Sequence, residues 1–178
     1  MKIKAVIMLA ILVTLGGCDW IRSLGDVEFD TDLTVNVPVA SVGKKSAETG
    51  AASQDVSFTG SALLSLDENE DISPYLEKLR EIDLQDVTVT INGLATGQTI
   101  SSIILSVNGS GTIATHANIT STTGSFVPQI DAAKLLDAGE KLVEDLSITV
   151  TVNGTSTTPI ANIVNIVFGA KVTAGALD

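Results

Sequence analysis

The chain of 178 residues contains a single cysteine, a single histidine and few aromatic side chains, 3% of the total. One thiol cannot form an intrachain disulfide, so the fold must hold by packing alone. One histidine and one cysteine also disfavour a zinc site, which draws several ligands from those two residue types. Neither Gly-x-Gly-x-x-Gly nor Gly-x-x-x-x-Gly-Lys occurs, which removes the usual phosphate cradles. Gly-x-Ser-x-Gly is absent too, and with it the strained turn that presents a hydrolase serine. Cations are scarce: 10 Lys and Arg face 21 Asp and Glu, for a net charge of −11. Such a surface repels nucleic acid and anionic lipid headgroups. The apolar run from Ala5 to Leu15 is short of the roughly 20 residues a membrane-crossing helix needs.

That run does have a place. Lys2 and Lys4 precede it, giving the layout of a secretory signal peptide. It ends in Leu15-Gly16-Gly17-Cys18, which resembles the lipobox of bacterial lipoproteins. The resemblance implies cleavage before Cys18, with Gly16 and Gly17 small enough to enter the peptidase and the Cys18 thiol accepting a diacylglycerol. The new amino group is usually acylated as well. Several acyl chains anchor stably because each buried methylene contributes about 0.8 kcal/mol. In enterobacteria an aspartate at the place of Asp19 implies retention at the inner membrane, but other phyla do not follow that rule, and the outer membrane is the preferred expectation.

Three segments are expected: a signal peptide over 1–17, a lipidated anchor and short tether over 18–25, and a single domain over 26–178. Cleavage removes Lys2 and Lys4 and no acid, so 8 basic residues face 21 acidic ones in the remaining 161, a balance of −13. That length suits one domain with a sizeable core. Its Val, Ile, Leu and Thr favour strands.

In "DVEFDTDLTVNVPV" the odd positions Val27, Phe29, Leu33, Val35, Val37 and Val39 are apolar, with Thr31 the exception. Period 2 predicts one buried face, with Asp26, Glu28, Asp30 and Asp32 on the wet one. Pro38 cannot donate to a ladder, so this strand is expected to lie at an edge or to end there. "GKKSAETGAASQ" reads as a loop, and Val56 to Leu66 as a second strand. Ile72, Tyr75, Leu76, Leu79 and Ile82 recur at helical spacing, with Ser73 as N-cap and Pro74 in the first turn. Alternation returns at Val87, Val89 and Ile91 and again at Ile103, Leu105 and Val107, each followed by Asn-Gly, a strong hairpin signal. A second helix is expected over 131–145, capped by Asp131, with Leu135, Leu136, Leu142 and Val143 on one face and Gly139 as a potential break. "LSITVTVNG" and "IVNIVFGAKV" close the chain as strands. The pieces at 77–93 and 140–154 rhyme, as an α-β-β unit used twice would. The fold class is mainly β, an antiparallel β-sandwich with one or two short helices. Beyond the lipobox, the chain is similar to small all-β envelope lipoproteins of unknown function.

Candidate sites are few. His116 in "TIATHANIT" is expected to be a half-exposed strand residue, with Ala114 on its face and Ile113 and Thr115 on the other. In "DENED", Asp67, Asn69 and Asp71 are spaced like the first three ligands of a calcium loop, but Ile72 and Lys78 stand where an EF-hand needs glycine and glutamate. Acids gathered before a helix start are the plainer reading. The stripe Asp26, Glu28, Asp30, Asp32 is either solvated, blunting an edge, or neutralised by a cation or basic partner. Asn108, Asn118 and Asn153 match glycosylation sequons, which in a bacterial lipoprotein reflect turn and strand composition. No cofactor is expected.

Two functional classes follow. One is a non-catalytic binding or structural module of the cell envelope, held to the membrane through Cys18 and contacting a protein or glycan. The other is an accessory enzyme with a cryptic hydrolytic site around His116, in which a serine and an acid would converge on that base.

Overall fold

The computed structural model of the protein describes residues 25–42 and 55–176. Leu15, Gly16, Gly17 and Cys18 lie outside the described residues, as does 43–54, where the sequence leads one to expect a loop. The described chain is mainly β: one antiparallel sheet of nine strands curled into a half-barrel, with one α-helix. In chain order the strands are β1 (Asp26–Ser41), β2 (Val56–Ser65), β3 (Leu79–Asn92), β4 (Thr99–Val107), β5 (Gly111–Thr120), β6 (Ser125–Phe126), β7 (Gln129–Ile130), β8 (Ser147–Ser156) and β9 (Ala161–Gly175). Their order in the sheet is β6-β3-β9-β1-β2-β8-β4-β5-β7.

Two seams make this single sheet behave as two facing halves. The first lies between β1 and β2. β1 pairs with β9 along Asp26–Ala40, but with β2 only at Ala40–Thr59 and Ser41–Phe58. The amide of Val42 donates to Ser57 O at 2.9 Å and that of Ser41 to Ile160 O at 3.0 Å, so the even-numbered residues of β1 direct their backbone groups toward β2. Pro38 is even-numbered. Its missing N–H costs the β9 ladder nothing, and the expectation of an edge holds for most of β1 in this sense. At this seam Gly60 is required, because a Cβ there would sit 2.1 Å from Pro38 O.

The second seam is where the sheet ends meet. β6 hangs on β3 at Val89 and Thr90, β7 hangs on β5 at Ala114 and Thr115, and only Val127 and Pro128 separate β6 from β7. The two outermost strands are thus neighbours in sequence, and the chain itself staples the half-barrel.

Between the halves lies one core. Leu33, Val35, Val37 and Val39 of β1 meet Val164, Ile166 and Phe168 of β9, with Phe58, Ile103, Leu105, Val150 and Val152 from the other half. The alternation in β1 runs as the sequence indicates: Leu33 to Val39 are buried at odd positions, Phe29 is half-buried, and Glu28, Asp30 and Asp32 are exposed. Asp26 departs from that reading, being half-buried and paired with Arg80.

The helix expected after Ile72 is replaced by two 3-10 turns, Leu66–Glu68 and Ser73–Lys78, and Leu79 and Ile82 belong to β3. Ile72, not Ser73, occupies the N-cap, with no side-chain cap, while Pro74 does sit in the first turn. A register shift between Leu79 and Glu81 brings Leu79 and Ile82, three apart, to the same inner face and so imitates a helical step; a second bulge lies between Leu84 and Asp86. Before it the buried positions are Ile82 and Leu84, after it Val87, Val89 and Ile91, so the period-2 signal changes phase inside one strand. Of the two rhyming segments only the second therefore contains an α-helix.

That helix, α1 (Ala132–Asp145), is capped by Asp131, whose carboxylate accepts from the amides of Ala133 at 3.1 Å and Lys134 at 3.2 Å. It buries Leu135, Ala138, Gly139 and Leu142 against β3, β8 and β5, whereas Leu136 is 49% exposed. Gly139 does not break it. The two Asn-Gly signals also separate: Asn108-Gly109 turns the β4–β5 hairpin, but β3 pairs with β9 and β4 with β8, so Asn92-Gly93 joins no hairpin.

Candidate functional sites: an acidic face and a charge-free face

The outer faces of the two halves differ in charge. On the half formed by β3, β9 and β1, register places carboxylates in rows across the sheet. Glu28 and Glu81 flank Thr173, Asp30 and Asp83 flank Lys171, and Asp32 and Asp86 flank Gly169. Lys171 is the cation of this array; its Nζ lies 2.8 Å from Glu28 Oε2. That hydrogen bond and the Glu28 charge, helped by Asp30 and Asp83, raise the Lys171 pKa above its ordinary 10.5. At the end of the array Arg80 Nη1 contacts Asp26 Oδ1 at 2.5 Å.

Below Lys171 the face is hollow. Gly169 has no side chain, and the Asp86 carboxylate leans over it, 2.8 Å from where a Cβ would stand. Asp30, Asp32, Asp71 and Gln85 complete a cleft of about 490 Å³ open to solvent. The sequence pattern reveals the β1 acids but not Glu81, Asp83, Asp86 or Lys171 as members of one array. Glu81 falls in the stretch whose spacing predicts a helix, Asp83 and Asp86 follow it as an acidic turn, and Lys171 gives no local signal.

The calcium-like residues are each occupied by local hydrogen bonds, Asn69 with backbone groups and the two aspartates with hydroxyls. Asn69 Oδ1 accepts from the amides of Asp71 at 3.0 Å and Ile72 at 3.1 Å, and its Nδ2 donates to Asp32 O at 3.1 Å. Asp71 Oδ2 accepts from Thr31 Oγ1 at 2.9 Å, and Asp67 accepts from the Ser65 hydroxyl. Asn69 is thus a clamp that orders the turn and covers an edge carbonyl of β1. Among the described residues no group of three or more His, Cys, Asp or Glu is placed to hold a metal.

His116 is half-buried on β5 and stacks on Phe126 of β6, ring centroids 4.4 Å apart and 28° between planes. The stack spans the second seam, beside a depression of about 420 Å³ lined by Ser102, Ile104, Thr115 and Gln129. Among the described residues no hydroxyl or carboxylate is hydrogen-bonded to its imidazole. As expected, Ala114 shares its side and Thr115 the other; Ile113 is buried at a bulge against Leu105 and Ser106.

The other half is different in kind. β2, β8, β4 and β5 contain no Asp, Glu, Lys or Arg. Their outward rows are uncharged: Thr59, Asn153, Ile104 and Thr115 stand side by side, with Ser and Thr predominating in the rows on either side. Hydroxyls pair laterally, Thr59 Oγ1 to Asn153 Oδ1 at 2.8 Å and Ser102 Oγ with Thr155 Oγ1 at 3.0 Å. Of the sequon residues, Asn153 lies on this face, Asn108 in the hairpin turn, and Asn118 at φ 59° in β5.

No family model and no curated protein matches the chain. Among solved structures it is similar to a chain titled Desmodium yellow mottle tymovirus, at 12% identity, covering 85% of this chain and 91% of that one. The TM-score of 0.28 is too low to carry any argument. The class defined by the fold is an antiparallel half-barrel whose strand acids gather at one end of one outer face, and its role has to be argued from its surface.

Proposed function

We propose that the chain is a lipoprotein of the bacterial cell envelope, anchored through Cys18 to the outer membrane in preference to the inner, whose folded part is a non-catalytic binding or structural module. The anchor rests on Leu15-Gly16-Gly17-Cys18 at the end of the apolar run. The module reading is carried by one observation: register gathers the acids of β1 and β3 into an array at one end of the outer face of β3, β9 and β1, while β2, β8, β4 and β5 carry none. Such extended faces suit contact with another macromolecule better than they suit a small substrate, which is ordinarily held in a concave pocket. A protein or glycan is the class of partner; the excess of acids disfavours nucleic acid.

The test of the anchor is incorporation of radiolabelled fatty acid by the full chain and by Cys18→Ser in a bacterial host. The wild-type chain should be labelled and cut before Cys18; the variant should stay unlabelled and uncut. Equal labelling of the two would overturn the anchor.

A further inference from the structure

The chain contains three Asn-Gly pairs, Asn92-Gly93, Asn108-Gly109 and Asn153-Gly154. Such a pair is chemically labile, because glycine has no side chain to keep its backbone nitrogen from the asparagine Cγ. In the reaction a bond forms between that nitrogen and Cγ, and the proton on the nitrogen passes to solvent. The side-chain amide takes up a proton from solvent and leaves as ammonia. Water then opens the five-membered imide at one carbonyl or the other, giving aspartate or isoaspartate. Ring closure requires the peptide to turn about the asparagine Cα–C bond, so hydrogen bonds that hold this peptide oppose it.

The fold separates the three pairs. Gly154 lies inside β8, opposite Phe58 of β2 on one side and Ile103 of β4 on the other, and Asn153 Oδ1 accepts from Thr59 Oγ1 at 2.8 Å. Turning that peptide means opening a ladder. Asn92 ends β3, and its carbonyl accepts from Asn162 Nδ2 at 2.7 Å, a bond that the turn would break. Asn108-Gly109 is the exposed tip of the β4–β5 hairpin. Its neighbourhood is held by Ser110 N–H donating to Val107 O and Asn108 N–H donating to Thr149 O, each at 3.1 Å. Among the described residues nothing bonds the Asn108 carbonyl, the Asn108 side chain or the Gly109 amide.

A cation stands beside this tip. A Cβ on Gly109 would lie 3.2 Å from Lys141 Nζ and 2.8 Å from Lys141 Cε. Standard bond lengths then put the ammonium within roughly 6 Å of the Gly109 nitrogen. Lys141 makes no ion pair among the described residues, and β4 and β5 contribute no charge of either sign. A positive charge nearby favours the anionic nitrogen through which attack proceeds. We propose that Asn108 is a site of spontaneous deamidation and that Lys141, reaching across from α1, promotes it. The product adds a carboxylate to a hairpin whose strands carry none. This chemistry belongs to the folded part and is independent of the anchor at Cys18.

The experiment holds the full chain in detergent, in mildly alkaline buffer at physiological temperature. Fragmentation mass spectrometry with detection of isoaspartate follows conversion at each asparagine. Asn108 should convert first, and Asn153 should lag by at least about tenfold because its ladder must open beforehand. In denaturing urea the three should convert at similar rates. Lys141→Met should slow Asn108 severalfold in the folded chain, leave Asn92 as it is, and match wild type in urea, where α1 no longer holds the ammonium at the turn. Lys141→Arg, which keeps the charge, should restore the rate. Added salt provides a reading that needs no variant, since screening of Lys141 should slow Asn108 in the wild-type chain. A folded chain in which Asn92 or Asn153 converts as fast as Asn108 would overturn the site. A rate at Asn108 indifferent to both salt and Lys141→Met would overturn the role of Lys141.

Discussion

Replacing Gly139 with alanine sets two effects of opposite sign against each other in α1. In a helix interior alanine is favoured over glycine by about 0.5–1 kcal/mol, so an exposed helix would be stabilised. Gly139, however, lies against β3. A Cβ there would sit 2.2 Å from Ile82 O and 3.7 Å from Leu84 Cγ. A carbon and a carbonyl oxygen approach to roughly 3.3 Å, so the helix would have to lift by about 1 Å. Ile82 is held in the ladder with Val172 and cannot readily retreat. Lifting α1 opens the contacts of Leu135, Ala138 and Leu142, all at most 2% exposed. A gap of that size forfeits a quarter to a half of each contact, and overpacking of this kind costs about 1–3 kcal/mol. The clash therefore wins, and Gly139→Ala should destabilise by about 1–2 kcal/mol, lowering Tm by roughly 2–8 °C. Thermal melting by circular dichroism measures it. Glu140→Ala and Glu140→Gly, at the exposed neighbouring position, provide the bare propensity difference. A Tm that rises in Gly139→Ala would refute the close-approach argument and leave Gly139 as an ordinary weak point of the helix.

Asp131→Ala should cost about 1 kcal/mol through loss of the cap on Ala133 and Lys134, while Asp131→Asn, which keeps the acceptor, should stay near wild type in the same melt. Lys171→Met should lower Tm at low salt, because the acid rows lose their cation, and the difference should shrink as salt screens them. The pH dependence has a definite sign. The folded-state pKa of Lys171 is raised above 10.5, so its stabilising effect is fully present below that value and is lost as pH climbs through the raised one. The Tm gap between wild type and Lys171→Met should therefore close in alkali, and a gap that widened there would contradict the pairing with Glu28. Excess chelator should leave the melt unchanged and millimolar calcium should raise it by a few degrees at most; a collapse in chelator would show that the acidic face is a metal site.

How well each segment can be read depends on whether its signal is local. β1 is legible because its alternation is uninterrupted from Asp32 through Val39, and the faces follow directly. The start of β3 is not, because the register shift between Leu79 and Glu81 puts Leu79 and Ile82, three apart, on the same inner face and so prolongs Ile72, Tyr75 and Leu76 into a false helical stripe. The Asn-Gly pairs make the same point. Asn108-Gly109 turns a hairpin with Gly109 at φ 84°, whereas Gly154 lies inside β8, where a Cβ would stand 2.3 Å from Phe58 Cζ and 2.4 Å from Ser102 O. One dipeptide serves a turn and the other a close approach between strands, and only tertiary neighbours distinguish them.

The candidate faces are half legible for the same reason. The acids of β1 are visible as a stripe, but their confrontation with Glu81, Asp83 and Asp86 exists only through the register of both strands with β9. The lack of charge on the other half is present in the sequence strand by strand; what cannot be read there is that β2, β8, β4 and β5 are neighbours. That adjacency gives the acid stripe a further consequence. Below Ala40, β1 has a ladder on one side only, and a long half-open strand invites pairing with any passing edge. Asp26, Glu28, Asp30 and Asp32 charge that strand, Pro38 removes a donor from its open side, and Asn69 occupies the carbonyl of Asp32. Association by edge is thereby opposed at β1 three times over, by like charge, by a missing donor and by a carbonyl already engaged.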